Sequence, residues 1–239
     1  MDYKRNAKYF EPPKHITRFV IISWLILLIL AIGLLASKNF LGIIPAAILV
    51  LWIFLMFYNP KPSDEEIDEQ AGSLAKGLRE KALKKLGLEE EEVGLAPPIL
   101  LVGYCFDNVL RDEANSKAWY IRGADSLWRA SEVTLTAFFF TENQVYFYQR
   151  IASLVSDAVK ESTNEVYYKD IVSVKTEEKE QAFVDPGTGE EDKTRRTRYT
   201  RLIVRNTGAE EIGCSCRKND EADEAVKAFR NLLKMKKTA

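Results

Sequence analysis

The polarity pattern divides the chain near residue 60. Before that point two uncharged runs follow one another, Phe19 to Ser37 (FVIISWLILLILAIGLLAS) and Asn39 to Pro60 (NFLGIIPAAILVLWIFLMFYNP), with Lys38 between them. Each run, as a helix, is long enough to cross about 30 Å of hydrocarbon, so the pattern predicts a two-span transmembrane hairpin over 19–60. The first run is too long for a signal-peptide core and ends without an A-x-A site. Gly33 and Ser37, with Gly42 and Ala46, have the small-xxx-small spacing that lets two helices approach closely. No ionisable residue interrupts either run, so the hairpin reads as an anchor rather than a transport path.

After residue 60 the pattern changes to short periodic segments. Pro60 and Pro62 precede Ser63, which with Glu66 makes a capping box. Ile67, Ala71, Leu74, Leu78, Ala82 and Leu86 then recur at helical spacing, and Gly87 supplies a C-cap. The expectation is one amphipathic helix over 64–86 within a connector spanning 61–95. It packs either on the following domain or on a second copy of the chain, which would make a homo-oligomer.

From residue 96 onward the apolar residues follow strand patterns. SEVTLTAFFFT and VYFYQR flank the short polar turn TENQ, and neither arm is long enough to span a bilayer, so this aromatic stretch predicts a buried hairpin. PPILLVGYCF and KAWYIRG read as earlier strands, EVYYKDIVSVKTEE as a later one with a slip that marks a bulge. A long polar loop with Pro186-Gly187 separates two further strands, and NTGAE joins RYTRLIVR to EEIGCSCR. The chain closes on a helix with acids at its start, lysines at its end, and a stripe of Ala222, Ala225, Val226, Phe229, Leu232 and Leu233. The fold class is therefore α+β: a two-helix transmembrane hairpin, then about seven bent antiparallel strands capped by a C-terminal helix.

That order of elements, with Tyr168-Lys169-Asp170-Ile171-Val172-Ser173-Val174 following an aromatic strand pair, resembles bacterial members of the pleckstrin-homology-like superfold over roughly residues 98–237. The resemblance implies a bent sheet plugged by the final helix, in a bacterial membrane-anchored protein. It names no activity, because this superfold hosts many functions.

Charge changes the picture in three places. The 34 basic and 35 acidic residues balance, which argues against nucleic acid as a partner. Residues 1–18 carry Lys4, Arg5, Lys8, Lys14 and Arg18 against Asp2 and Glu11, so the positive-inside rule places this flank, both termini and the 96–239 domain in the cytoplasm, at a bacterial cytoplasmic membrane. Between 193 and 205 lie Lys193, Arg195, Arg196, Arg198, Arg201 and Arg205 with no acid among them. Three readings stay open for this strand: it neutralises Glu190, Glu191 and Asp192 or guards a sheet edge, it meets anionic lipid, or it meets an acidic protein.

Chemistry adds little. The three cysteines do not form a secreted disulfide framework, and Cys214 and Cys216 share one strand face. His15 stands alone beside the first apolar run, and no nucleophile elbow, P-loop or zinc-protease signature is present. The sequence thus predicts no catalytic set, cofactor or metal. It predicts a membrane-tethered, non-catalytic module for a protein partner, with an anionic-lipid sensor using the 193–205 strand as the alternative.

Overall fold

The computed structural model describes residues 1–11, 18–36, 43–57, 61–110, 119–184, 194–208, 210–216 and 219–238. They divide into two units, one made of Met1–Phe10 with Pro62–Ala239 and the other of Glu11–Lys61.

The smaller unit holds helices α2 (Arg18–Ala36) and α3 (Ile43–Phe57), which pack on each other. Here the sequence expectation is corrected: among the described residues no helix is long and apolar enough to cross a membrane. At 1.5 Å per residue α2 is about 28 Å long and begins on a charged residue, and α3 is about 22 Å long, against about 30 Å of hydrocarbon. The uncharged runs counted residues 37–42 and 58–60, which lie outside the described residues, as helix. The transmembrane hairpin, the integral two-span partnership with a membrane and the cytoplasmic-membrane localisation built on it therefore fall together.

In the larger unit nine strands form three sheets among the described residues, rather than about seven. One sheet has the order β1 (Ile99–Tyr104), β4 (Glu132–Phe140), β5 (Gln144–Ser153), β6 (Val159–Tyr167). A second has the order β7 (Ile171–Val184), β8 (Thr194–Asn206), β9 (Glu211–Ser215). β2 (Tyr120–Arg122) and β3 (Trp128–Ala130) pair as a small ribbon. All pairings are antiparallel. The short β3 is a strand that was not read from the sequence; the segment read as one strand around Tyr168 is broken by a 3₁₀ turn at Tyr168–Asp170 into β6 and β7, and β7 runs on to Val184 through what the sequence offered as the next strand. The slip seen in its sequence is real: the β7–β8 register shifts between Ile171 and Ser173.

The aromatic stretch owes its composition to burial on both sides, since every residue of β4 is buried. Phe138 and Phe140 join Phe147, Leu202 and Val204 in one core that the closing helix α6 (Asn219–Thr238) seals with Phe229. Val133, Leu135, Ala137 and Phe139 face a second core, covered by Tyr9, Phe10, Ile67, Leu78 and Ala82. Strand alternation sends neighbouring side chains to opposite faces, so a sheet covered on both faces reads as one continuous apolar run.

Helices α1 (Tyr3–Phe10), α4 (Asp64–Ser73) and α5 (Leu78–Leu86) supply that second cover. The capping box at Ser63 and Glu66 is present and starts α4. The predicted single connector helix is interrupted instead: Gly77 adopts a left-handed φ of 70° between α4 and α5. The apolar stripe nevertheless keeps its face, with Ile67, Ala71, Leu78 and Ala82 all buried.

Arg129 on β3 holds these parts together. Its guanidinium pairs with Asp68 of α4 through Nε and Nη2, both at 3.0 Å. It also pairs with Asp125 of the β2–β3 turn through Nη1 at 2.9 Å and Nη2 at 2.7 Å. Asp64 lies 3.8 Å from Nη1 and accepts a hydrogen bond from the Tyr9 hydroxyl at 2.6 Å, bringing α1 into the network. Tyr104 of β1 donates to Asp68 at 2.6 Å. The two larger sheets meet where β1 crosses β9: a Cβ at Gly103 would collide with the Ser215 carbonyl, so only glycine allows this approach.

Candidate functional site

β8 carries the basic residues singled out in the sequence, and their side chains go to separate places. Lys193 and the acids Glu190, Glu191 and Asp192 lie outside the described residues. Arg195 sits on β8 opposite Phe183. Arg196 and Arg198, exposed on the ribbon, both reach Glu180 of β7, at 3.3 Å and 3.8 Å. Arg205 pairs with Glu211 of β9, its Nε donating at 2.9 Å. Arg201 is half-buried, with its guanidinium lying over Gly213. The stripe is not one surface, because the strand pairs with β7 on one side and β9 on the other and each edge offers a glutamate.

Two of these arginines border distinct cavities. The larger, of ≈ 650 Å³, lies between the β2–β3 ribbon and the β7–β8 ribbon. Tyr104, Phe106, Trp128 and Tyr199 give it aromatic walls, and Arg198 and the exposed Leu127 stand at its edge. The walls are fixed by ring contacts: Phe106 stacks on Tyr120 with centroids 6.0 Å apart and meets Tyr199 at 5.0 Å. The Tyr199 hydroxyl donates to Asp107 at 2.9 Å, and Lys179 pairs with the same carboxylate at 2.6 Å. Burial works to raise the Asp107 pKa, but the bonds from Lys179 and Tyr199 outweigh it and hold the carboxyl below its usual range. Burial first, then the Asp107 charge, push the Tyr199 phenol up.

Charge in this cleft is unevenly spent. Asp68 is paired with Arg129, and Arg198 is engaged by Glu180. Glu178 of β7 and Asp220 in the first turn of α6 also line it, both exposed and neither with an ion-pair partner among the described residues. The cleft thus offers aromatic faces and two uncompensated carboxylates, a combination that attracts a cation.

The second cavity, of ≈ 350 Å³, takes its lining from both larger sheets and shares no lining residue with the first. Arg201 and Gly213 lie on one side, Thr134, Phe147 and Gln149 on the other. Gln149 donates to the Gly213 carbonyl at 3.0 Å and spans the space between the sheets.

Buried Glu132 was invisible to sequence reasoning. Its carboxylate accepts from the backbone amides of Val109 at 2.9 Å and Leu110 at 3.3 Å, so it pins the chain after β1. Desolvation raises its pKa against those bonds. Cys214 and Cys216 sit in the α6-sealed core, and burial pushes the Cys214 thiol well up. Among the described residues no group of three or more His, Cys, Asp or Glu side chains is placed to hold a metal, and His15 lies outside those residues.

No family model, curated protein or solved structure matches this chain.

Proposed function

We infer that the chain is a non-catalytic binding module that takes a lysine or arginine side chain of a protein partner into the aromatic cleft. The observation that carries this reading is the pair Glu178 and Asp220, unpaired among the described residues, on the wall of a cleft built from Tyr104, Phe106, Trp128 and Tyr199. A cation over an aromatic face contributes about 0.5–2 kcal/mol depending on how far it is desolvated, and each exposed ion pair up to about 1 kcal/mol. One side chain therefore binds no tighter than a Kd on the order of millimolar, and contacts by its neighbours, with Leu127 among them, supply the rest.

The alternative, an anionic-lipid sensor on the 193–205 strand, has less support. Arg196 and Arg198 share Glu180, and Arg205 is held by Glu211. Those cations have spent part of their charge inside the sheet.

The test uses the full chain and short peptides that differ only in a central Lys, Arg, Gln or Glu, titrated by calorimetry at low and moderate salt. The reading requires saturable binding of the Lys or Arg peptide that weakens with salt and falls in Glu178→Gln with Asp220→Asn. Equal binding of the Gln peptide, or no effect of the double substitution, ends it.

A further inference from the structure

The ≈ 350 Å³ cavity beside Arg201 has its own chemistry. Arg201 makes no hydrogen bond or ion pair among the described residues, although it is half-buried. The two acids that line the cavity among the described residues are already engaged. Asp107 on the cavity wall is held by Lys179 and Tyr199, and Glu211 by Arg205. The Arg201 charge reaches both carboxylates, but only as the weakest of the influences on either. A guanidinium left half-desolvated without a partner is costly, and its planar fork matches a carboxylate.

The rest of the lining completes a small-molecule site. Thr134, Ser162, Thr163 and Asn164 bring hydroxyl and amide groups, while Phe147 and Ile151 bring apolar surface. The volume lies at the lower end of the range for small-ligand pockets. Gly213 is required for the arrangement, because a Cβ there would occupy the place of the Arg201 guanidinium.

We propose that this cavity binds a small organic carboxylate, with Arg201 holding the carboxylate end and the Phe147 side receiving its apolar body. The charge count selects a monoanion. With Asp107 and Glu211 matched by Lys179 and Arg205, one positive charge remains, and a phosphate dianion would be repelled by the two carboxylates on the wall. The inference stands apart from the partner proposed for the cleft, since no lining residue is shared.

The probe is benzoate, compared with neutral benzamide and with phenyl phosphate, titrated into the full chain by calorimetry. Benzoate is expected to bind saturably, at least tenfold tighter than either analogue. Arg201→Gln is expected to weaken benzoate at least tenfold, and Arg201→Lys, which keeps the charge but loses the fork, to weaken it by a smaller factor. Arg196→Gln, which alters an exposed arginine on the same strand, should leave it unchanged. Gly213→Ala gives a second route to the same loss by displacing the guanidinium with the arginine retained. Benzoate binding equal in wild type and Arg201→Gln overturns the proposal, as does tighter binding of phenyl phosphate or no saturable benzoate binding to the folded chain.

Discussion

Replacing Arg129 by methionine tests whether the charge network organises the larger unit. The Arg129 side chain is 2% exposed and makes two forked pairs, to Asp68 and Asp125. Methionine keeps most of the volume but takes the Arg129 charge away from Asp64 and Asp68, whose side chains are 21% and 20% exposed. Losing one partner of a buried pair costs about 3–5 kcal/mol, because a desolvated charge remains behind. Asp125 is 39% exposed and regains water when its partner is lost, which places the expectation at the lower end, about 3 kcal/mol. For a folded unit of this size that is a fall in Tm of roughly 6–12 °C. Arg129→Lys restores the charge without the fork and recovers only part of the loss.

The same network has a pH signature. The bonds from Arg129 hold the Asp125 carboxyl down to about 2, below its unfolded value of ~4. A depressed carboxylate stabilises the fold above the unfolded pKa, and that stability disappears as pH falls through about 2. Asp125→Asn should therefore remove part of the acid sensitivity between those values while costing stability at neutral pH. Urea unfolding followed by near-UV circular dichroism, at pH 7 and at pH 3, measures both effects. An Arg129→Met chain within about 1 kcal/mol of wild type at pH 7 would refute the view that a buried, paired charge ties these elements together.

Gly103→Ala forces apart the β1 and β9 backbones and should cost about 1–3 kcal/mol by urea unfolding; an unchanged midpoint would show that the sheets part freely there. Burial pushes the Cys105 thiol up to about 11 and Cys214 well above its usual value, so neither should react with a thiol reagent at pH 8 until the chain unfolds. Rapid modification of either in the native state contradicts that burial.

Local regularities carried much of the fold into the sequence. The α6 stripe is buried at Ala222, Ala225, Val226, Phe229 and Leu232, and the TENQ turn joins β4 to β5 as its polarity indicated. Features decided by distant partners were silent. Arg129 finds Asp68 sixty-one residues away, and nothing in WRASEV distinguishes it from a surface arginine. The YKRNAKYF segment looked like a basic flank because Lys4, Arg5 and Lys8 stand in it without an acid, yet Tyr9 and Phe10 bury one face of α1. The 193–205 run was legible as a cluster of charge but not as a set of destinations. Which glutamate each arginine meets depends on register with β7 and β9, and Arg201 differs from its neighbours only because Gly213 makes room. The apolar runs misled for another reason: absence of charge measures what a segment tolerates, not where its helix starts and stops.

Helix α1 bears on the order in which the chain assembles. Asn6 donates to Gln70 at 2.6 Å and to the Leu154 carbonyl at 2.9 Å, a partner 148 residues further along. During synthesis at about 5–20 residues per second, α1 leaves the ribosome roughly 7–30 s before that partner is made. The whole Glu11–Lys61 unit emerges in the interval. A truncation that begins at residue 62 would strip one of the covers from the β4–β5 sheet, while a nascent chain must keep the apolar face of α1 unpaired until the sheet exists. Helix α1 is therefore made well before the sheet it covers and docks only once residue 154 has emerged, so translation slowed ahead of residue 154 is where failed docking would first be seen.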